Sequence, residues 1–171
     1  FLFVGSLAHR PNRLAADFLL AEVWPRLRSV LPTAELVLAG RGFDDYLASR
    51  SPVAGVSAPG FVPDLAPLFA SSSLFLAPLP EGGGIKIKIL EALARGIPVV
   101  TTPVGAEGIL ENKDGAAWIS ACDASFTDAV LKAAHDPAEA AARAARGRRL
   151  MEEKFGWASI ARRLVAIYEG A

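Results

Sequence analysis

A run of three glycines, followed by two lysines and a glutamate, is the stretch of this chain best suited to binding a ligand. The glycines occupy positions 82–84 and lead into a predicted helix that carries Lys86, Lys88 and Glu91. Glycine lets backbone N–H groups approach a ligand closely, and a helix N-terminus attracts anions. The lysines would add full positive charges, and the carboxylate could accept hydrogen bonds from hydroxyl groups. The pattern predicts a binding site for a phosphorylated sugar, in which Gly83 and Gly84 contact the ligand.

The same pattern also fits a purely structural role. Apolar residues recur every four positions along this helix and predict a stripe that faces the core. Lys88, Glu91 and Arg95 share another face, where they could form a ladder of surface ion pairs. We interpret Lys88 and Glu91 as binding residues and Arg95 as a surface residue. Because residues 86 and 88 lie about 200° apart on an ideal helix, at most one of the two lysines is expected to point directly into the site.

Composition excludes several classes of function. The chain has 171 residues, 52% of them hydrophobic, which suits one domain spanning 1–171 with a substantial core. Lys plus Arg and Asp plus Glu both number 18, so no broad attraction to nucleic acid is expected. Cys122 has no cysteine partner, and His9 and His135 lie far apart, so we predict neither a disulfide nor a metal site. The three tryptophans are interpreted as packing residues.

The chain shows no apolar run near the roughly 20 residues that span a bilayer. Together with the single cysteine, this favours a cytoplasmic location. Residues 1–5 already have the pattern of a buried strand, so we expect the chain to be part of something longer.

Short apolar runs alternate with helical patterns along most of the chain, which predicts a Rossmann-like, doubly wound parallel sheet of about six strands with helices on both faces. The predicted strands are 1–5, 35–39, 56–58, 74–77, 98–101 and 117–119. The predicted helices are 11–30, bent or broken at Pro25, then 44–49, 65–72 and 86–94. Beyond Asp123 the sequence is helical, with a second start at Asp136 and a last helix over 157–168.

In such a sheet, ligands bind outside the carboxyl ends of the strands, near the point where the strand order reverses. The loops that leave those ends cover 5–12, 40–42, 59–62, 78–84 and 102–107. They bring Gly5, Ser6, Asn12 and Arg41 to the same rim. Arg41 could reach a ligand there, or it could pair with a nearby aspartate. His9 and Arg10 are interpreted as exposed loop residues.

A series of motifs in a fixed order resembles the C-terminal domain of group 1 (family 4) retaining glycosyltransferases, which have the GT-B fold. The motifs are Phe-Val-Gly5, Leu-Ala-Gly40, Gly60-Phe-Val-Pro-Asp64, Ala77-Pro-Leu, the block from Gly84 through Glu91-Ala-Leu-Ala-Arg-Gly-Ile-Pro-Val-Val100, and Val104-Gly-Ala-Glu-Gly108. The resemblance covers nearly the whole chain and is most specific in the long block.

The resemblance implies that this chain binds the nucleotide part of an activated sugar. In the family, the N-terminal domain supplies most acceptor contacts and a catalytic histidine, so no catalytic residue is expected in this chain. Glu91 matches a glutamate that holds the ribose hydroxyls, and Phe61 and Val62 match a segment near the base. The turn at Gly5 would lie beside the diphosphate.

The sequence departs from the family pattern at the positions that contact the donor sugar and at those that contact the diphosphate. Gly83 stands where the family has a first glutamate that contacts the donor sugar, and Glu81 lies two positions upstream. Ser6 and Asn12 stand where many members have an arginine and a lysine that clamp the diphosphate. We therefore hypothesise that Lys88, helped by Lys86, neutralises the leaving diphosphate.

The predicted function is donor binding for transfer of a sugar, with retention, from a UDP-, GDP- or ADP-linked donor to a glycan, lipid or small-molecule acceptor. Neither a metal nor another cofactor is expected, because backbone amides, a helix dipole and a lysine can stabilise the diphosphate. Two alternatives stay open: a non-catalytic nucleotide-binding or regulatory domain, and another GT-B enzyme such as a sugar epimerase. A lipid-linked acceptor would allow peripheral contact with the inner face of a membrane through the basic cluster at 143–149, although a solvated face is the preferred interpretation of that cluster.

Overall fold

The computed structural model describes residues 1–111 and 114–170 and contains a sheet of six parallel strands. The strands are β1 (Leu2–Val4), β2 (Leu36–Ala39), β3 (Val56–Gly60), β4 (Phe75–Ala77), β5 (Val99–Thr101) and β6 (Trp118–Ile119). Their spatial order is β3-β2-β1-β4-β5-β6, which is the order of a doubly wound Rossmann-like sheet. The predicted fold class is therefore confirmed.

Most predicted strand ends lie within one residue of the observed ones, and the largest difference is at the end of the third strand. We expected the third strand to stop at residue 58, but β3 continues through Pro59 to Gly60. The strand lies at the edge of the sheet, where the missing N–H of Pro59 need not face a partner strand. The register with β2 shifts between Val37 and Ala39, so that Ala39 lies opposite Gly60.

Helices connect the strands and follow the last of them. They are α1 (Arg10–Phe18), α2 (Trp24–Val30), α3 (Phe43–Ala48), α4 (Ala66–Ala70), α5 (Ile87–Ala94), α6 (Pro103–Ala106), α7 (Ala124–His135), α8 (Pro137–Lys154) and α9 (Trp157–Glu169). The two predicted aspartate starts are confirmed. Asp123 accepts a hydrogen bond from the backbone N–H of Ser125, and Asp136 accepts one from that of Glu139.

We expected Pro25 to bend or break the first long helix, and the break does not occur. A π-helical turn, Leu19–Val23, joins α1 to α2, so the chain stays helical from Arg10 to Val30. Proline lacks an N–H, and its ring clashes with the carbonyl group four residues earlier in a regular α-helix. The wider π turn lies directly before this proline and relieves that clash.

A short helix occurs where the sequence predicted only a loop. α6 follows β5, and the hydroxyl group of Thr102 accepts a hydrogen bond of 3.1 Å from the backbone N–H of Gly105. Pro103 occupies the first helical position, where proline is favoured. The same hydroxyl group donates to the carbonyl of Leu79, which ties this turn to the segment after β4.

Side chains alternate between the two faces of the sheet and build two cores. On one face, Phe3 and Val100 pack against the first long helix and α7. On the other face, Phe75 and Val99 pack with α4, α5 and α8. Both faces are therefore covered by helices, which explains why the strands are continuous apolar runs.

The last helix differs from the others because none of its residues is buried. Trp157 is 87% exposed, so the interpretation of all three tryptophans as packing residues is wrong at this position. Its helix contacts mainly the neighbouring α8, which leaves the indole ring without a surface to cover. Within residues 1–111 and 114–170, none of the helices combines the length and the apolar character that a membrane crossing requires.

Candidate functional site

The strand order reverses between β1 and β4, at the centre of the sheet, and this is where a doubly wound sheet opens a crevice for ligands. The connection after β1 lines one side, and the segment from Pro78 to Lys86 lines the other. These are the two loops that carry most of the predicted ligand-binding residues. The fold thus brings together residues near positions 5–12 and 81–88, as the motif order predicts.

A cation lies at the bottom of this crevice. The ammonium group of Lys88 donates a hydrogen bond to the side-chain oxygen of Asn12. The amide nitrogen of Asn12 donates to the carbonyl of Ser6 at 2.8 Å, which fixes the orientation of the Asn12 side chain. The Lys88 ammonium also lies 4.6 Å from the centre of the Phe3 ring, within range of a cation–π contact.

Gly5 is required for this arrangement. A Cβ atom at position 5 would lie 2.7 Å from Cγ of Asn12 and 3.0 Å from the Lys88 ammonium nitrogen. Any larger residue would push both side chains away. The glycine that ends the Phe-Val-Gly motif therefore creates the space in which the lysine and the asparagine meet.

Burial lowers the pKa of Lys88 to about 8. The low polarity of the surroundings disfavours the charged form of the amine. Below pH 8 the group nevertheless remains mainly protonated, and its two internal partners, an amide oxygen and a ring, carry no full negative charge. An anion that entered the crevice would therefore meet a poorly solvated and uncompensated cation.

Lys86 has a different environment, although it lies only two residues earlier. Its side chain is 8% exposed, and its ammonium group pairs with the carboxylate of Glu107 at 3.0 Å. This pair ties the start of α5 to the end of α6. The two lysines diverge because Lys86 is the extended N-cap residue before α5, whereas Lys88 lies in its first turn and reaches the β1 side of the crevice.

The glycine loop opens towards solvent. Gly82 and Gly84 have φ values of +125° and +73°, which side chains rarely adopt. A Cβ atom built at Gly83 or Gly84 would have no neighbour within 4 Å. Position 83 therefore borders free space at the mouth of the crevice, where a ligand has room to lie against the backbone.

The loops after β2 and β3 form a second part of the rim. Arg41 stacks over the ring of Phe61, with 5.0 Å between the guanidinium carbon and the ring centre. Phe61 is 60% exposed, and Val62 next to it is half-buried. Arg41 thus lies against the segment that is predicted to be near the base, and its contact with a ligand stays a prediction.

Gly40 joins the two parts of the rim. Its φ value is +126°, and a Cβ atom there would lie 1.7 Å from the carbonyl oxygen of Gly5. Its N–H donates to the carbonyl of Gly60 at 2.8 Å, and the N–H of Gly5 donates to the carbonyl of Ala39 at 2.9 Å. The turns after the first three strands are therefore packed backbone against backbone.

Glu91 pairs with Arg95, one turn further along α5, at 2.9 Å. Arg95 also lies 5.0 Å from the ring centre of Phe69. The predicted surface ion pair between Glu91 and Arg95 is therefore present. The predicted pair between Lys88 and Glu91 is replaced by a hydrogen bond from Lys88 to Asn12. Glu91 remains about one-third exposed and borders a largely apolar groove of about 430 Å³ between α5 and α8, so its carboxylate is accessible to solutes.

Three arginines of the basic cluster at 143–149 form ion pairs with nearby glutamates of α8. Arg143 and Arg146 both pair with Glu139, and Arg148 pairs with Glu152. Arg143 also donates to the carbonyl of Ala117, and Arg146 donates to that of Gly115. The exposed Arg148 agrees with the interpretation of a solvated face, whereas Arg143 and Arg146 are partly buried against the segment at 115–117.

Sequence reasoning missed the partner of Lys88 and the role of Arg10. Asn12 was recognised as a departure from a lysine, but not as the residue that positions a lysine from another helix. Arg10 was interpreted as an exposed loop residue, yet its guanidinium group contacts both carboxylate oxygens of Glu81. The available signal was the charge complementarity of two loops predicted to share one rim.

Comparison with known proteins identifies the family. The model for glycosyl transferases of group 1 matches residues 1–136. An α-(1→4)-mannosyltransferase from Mycolicibacterium hassiacum is 33% identical over 173 residues, covering 98% of this chain and 40% of that protein. A 44.6 kDa protein of uncharacterised function from Klebsiella pneumoniae is 27% identical over 115 residues, covering 63% of this chain and 30% of its own length.

Solved structures share the fold at lower sequence identity. Anabaena HepE in complex with UDP superposes with a TM-score of 0.77 at 18% identity, over 100% of this chain and 49% of that one. Sucrose-phosphate synthase from Thermosynechococcus elongatus superposes with a TM-score of 0.72 at 19% identity, over 99% of this chain and 44% of that one. The chain spans less than half the length of each of these relatives. On the family match and the mannosyltransferase similarity together, the chain belongs to the group 1 glycosyl transferases and has the Rossmann-like architecture of their GT-B fold.

Proposed function

We propose that this chain is the donor-binding domain of a glycosyltransferase and holds the nucleoside diphosphate of an activated sugar in the crevice between β1 and β4. One observation carries the proposal: the ammonium group of Lys88 lies at the point where the strand order reverses, oriented by Asn12 and packed beside Gly5. HepE was solved with UDP, which agrees with a nucleotide as the ligand.

In this proposal, each part of the rim binds a different part of the donor. The diphosphate lies against Gly5, Ser6 and the glycines at 83–84, with its charge met by Lys88. Lys86, paired with Glu107, holds the start of α5 against the end of α6 and so fixes the position of the glycine loop. The carboxylate of Glu91 accepts hydrogen bonds from the ribose hydroxyls after releasing Arg95.

The base lies over the second part of the rim, against Phe61, Val62 and Arg41. An exposed aromatic ring with a guanidinium group on it offers a flat surface for another planar group. Backbone groups of the same turn can form hydrogen bonds with base edges.

The proposed reaction breaks the bond between the anomeric carbon and the diphosphate oxygen, and the nucleoside diphosphate leaves with the electron pair. The acceptor hydroxyl oxygen forms the new bond with retention, and a base in the rest of the protein takes its proton. Lys88, the backbone amides and the N-terminus of α5 stabilise the departing charge, so no metal is invoked. The glycan, lipid or small-molecule acceptor is bound outside this chain, in the cytoplasm or at the inner face of a membrane.

A non-catalytic nucleotide-binding domain is the second candidate. Gly83 offers no side chain to a donor sugar, and Glu81 is engaged with Arg10. Both candidates predict nucleotide binding, and they differ in turnover. Donor hydrolysis or transfer by the full-length protein excludes the non-catalytic alternative, and the identity of the product separates transfer from epimerisation.

The first test is a calorimetric titration of the chain with UDP, GDP and ADP, repeated on Glu91→Ala. We expect one nucleotide to bind selectively and the variant to lose about tenfold or more in affinity, because the ribose hydrogen bonds involve a charged acceptor. Asp128→Ala is the matched control, since it removes a surface ion pair of the same 2.9 Å length, Arg26–Asp128, far from the crevice. Failure of all three nucleotides to bind would contradict the proposal.

A further inference from the structure

Two contacts and one close approach connect the start of α1 to the glycine loop and α5. Arg10 pairs with Glu81 across the mouth of the crevice. A Cβ atom on Gly82 would touch the ring of Pro11 at 3.6 Å, and Asn12 bonds Lys88 at the bottom. Residues 10, 11 and 12 thus face 81, 82 and 88 in turn, from the solvent side inwards.

The outermost contact differs from the innermost one in charge and exposure. Lys88 is a largely buried cation without an acidic partner in its hydrogen bond. Arg10 is an exposed cation whose charge is offset by Glu81, and their side chains are 69% and 40% exposed. A nucleoside diphosphate carries more negative charge than one lysine neutralises. Arg10 lies close to the same crevice and could supply a second positive charge if its pair with Glu81 opened.

We infer that Glu81 is an internal competitor for Arg10, and that Arg10 becomes a second phosphate ligand of the donor when this pair opens. The inference rests on the proposed function of the crevice. An exposed ion pair is weak, whereas a guanidinium group bound to phosphate makes two parallel charge-assisted hydrogen bonds. The exchange of partners therefore favours the bound state.

The backbone does not have to move for this exchange. Arg10 is the first residue of α1, and Asn12 anchors that turn through Ser6. A change of side-chain rotamer brings a long and flexible arginine from the mouth of the crevice towards its interior. Glu81 returns to solvent, where its charge is fully hydrated.

The test is the affinity of UDP, and of inorganic pyrophosphate, for the unchanged chain, Glu81→Gln, Arg10→Gln and the double variant. Glu81→Gln should bind both anions about two- to fivefold more tightly, because the competitor for Arg10 is lost. Arg10→Gln should bind them more weakly by a similar factor. In the Arg10→Gln background, the Glu81 substitution should change affinity less than about twofold.

The double variant is the control for a general charge effect. If Glu81→Gln strengthens binding equally in both backgrounds, removal of a nearby negative charge explains the gain and the inference is overturned. Unchanged or weaker binding by Glu81→Gln overturns it as well. Binding of neither anion by the unchanged chain would refute the proposed function itself. Thermal unfolding of all four proteins should be nearly equal, since both side chains are exposed.

Discussion

The two parts of the rim are built on different principles. Between β1 and β4, a lysine, an asparagine and a glycine are packed against one another, and each polar side chain already has an internal partner. After β2 and β3, an arginine rests on an exposed phenylalanine above glycine turns. The first part is pre-ordered for a charged group. The second offers an open aromatic surface, so in the proposed function the charge and the planar group of the donor contact separate loops.

The contact that joins the two parts should show the largest effect when it is broken. Gly40→Ala would place a methyl group 1.7 Å from the Gly5 carbonyl oxygen at a φ of +126°. We expect a loss of about 3 kcal/mol or more in the free energy of unfolding, measured by urea denaturation. Gly83→Ala is the matched control, because its methyl group enters open space. Equal stability of the two variants would contradict this account of Gly40.

Within the charged part, Lys88→Met should reduce the affinity for UDP by about ten- to a hundredfold, since a buried charge-assisted hydrogen bond to phosphate is lost. The same variant should unfold at a higher temperature, because burial disfavours the charged form of this lysine. Lys86→Met is the comparison: its amine is already paired with Glu107, so UDP affinity should fall less. A larger loss at position 86 than at 88 would reverse the assignment.

The pH dependence should separate binding from stability at the same residue. With the pKa of Lys88 at about 8 in the folded state, UDP affinity should approach its maximum about one pH unit below that value and fall by up to about tenfold per pH unit above it. The unfolded chain keeps the ordinary pKa of 10.5 and so binds more protons between pH 8 and 10.5. The Lys88 contribution to the free energy of unfolding therefore rises with pH in that window.

Calorimetry and urea denaturation between pH 7 and 10, each compared with Lys88→Met, isolate this lysine from other titrating groups. Affinity that stays constant across that range in the unchanged chain would show that the Lys88 charge does not contact the ligand.

The open part of the rim should show the smallest effects. Phe61→Ala and Arg41→Ala should each lower nucleotide affinity about two- to tenfold, with little change in stability because both side chains are exposed. The losses should be greater for UDP than for inorganic pyrophosphate, which lacks a base. Titration with both ligands checks this, and equal losses would place Phe61 at the phosphates.

The fold was predictable because its signals are local. Apolar runs mark each strand, Asp123 and Asp136 mark helix starts, and the order of elements implies a parallel sheet. The candidate site was predictable in its location but not in its contacts. The length of the Lys88 side chain and its direction across the sheet edge to Asn12 depend on packing between distant segments, which no periodicity encodes. The pairs Arg10–Glu81 and Lys86–Glu107 escaped prediction for the same reason.

The contacts between residues 10–12 and 81–88 also bear on how the protein folds. Arg10 and Glu81 are separated by 71 positions along the chain, and Asn12 and Lys88 by 76. Contacts of such sequence separation form only after the intervening strands have been placed, so they belong to the slow, non-local part of folding. A nascent chain that ends before position 88 lacks one side of the crevice between β1 and β4. A nucleotide that binds in this crevice can therefore stabilise only the completed fold. The amount of nucleotide bound at saturation would report how many protein molecules have completed folding.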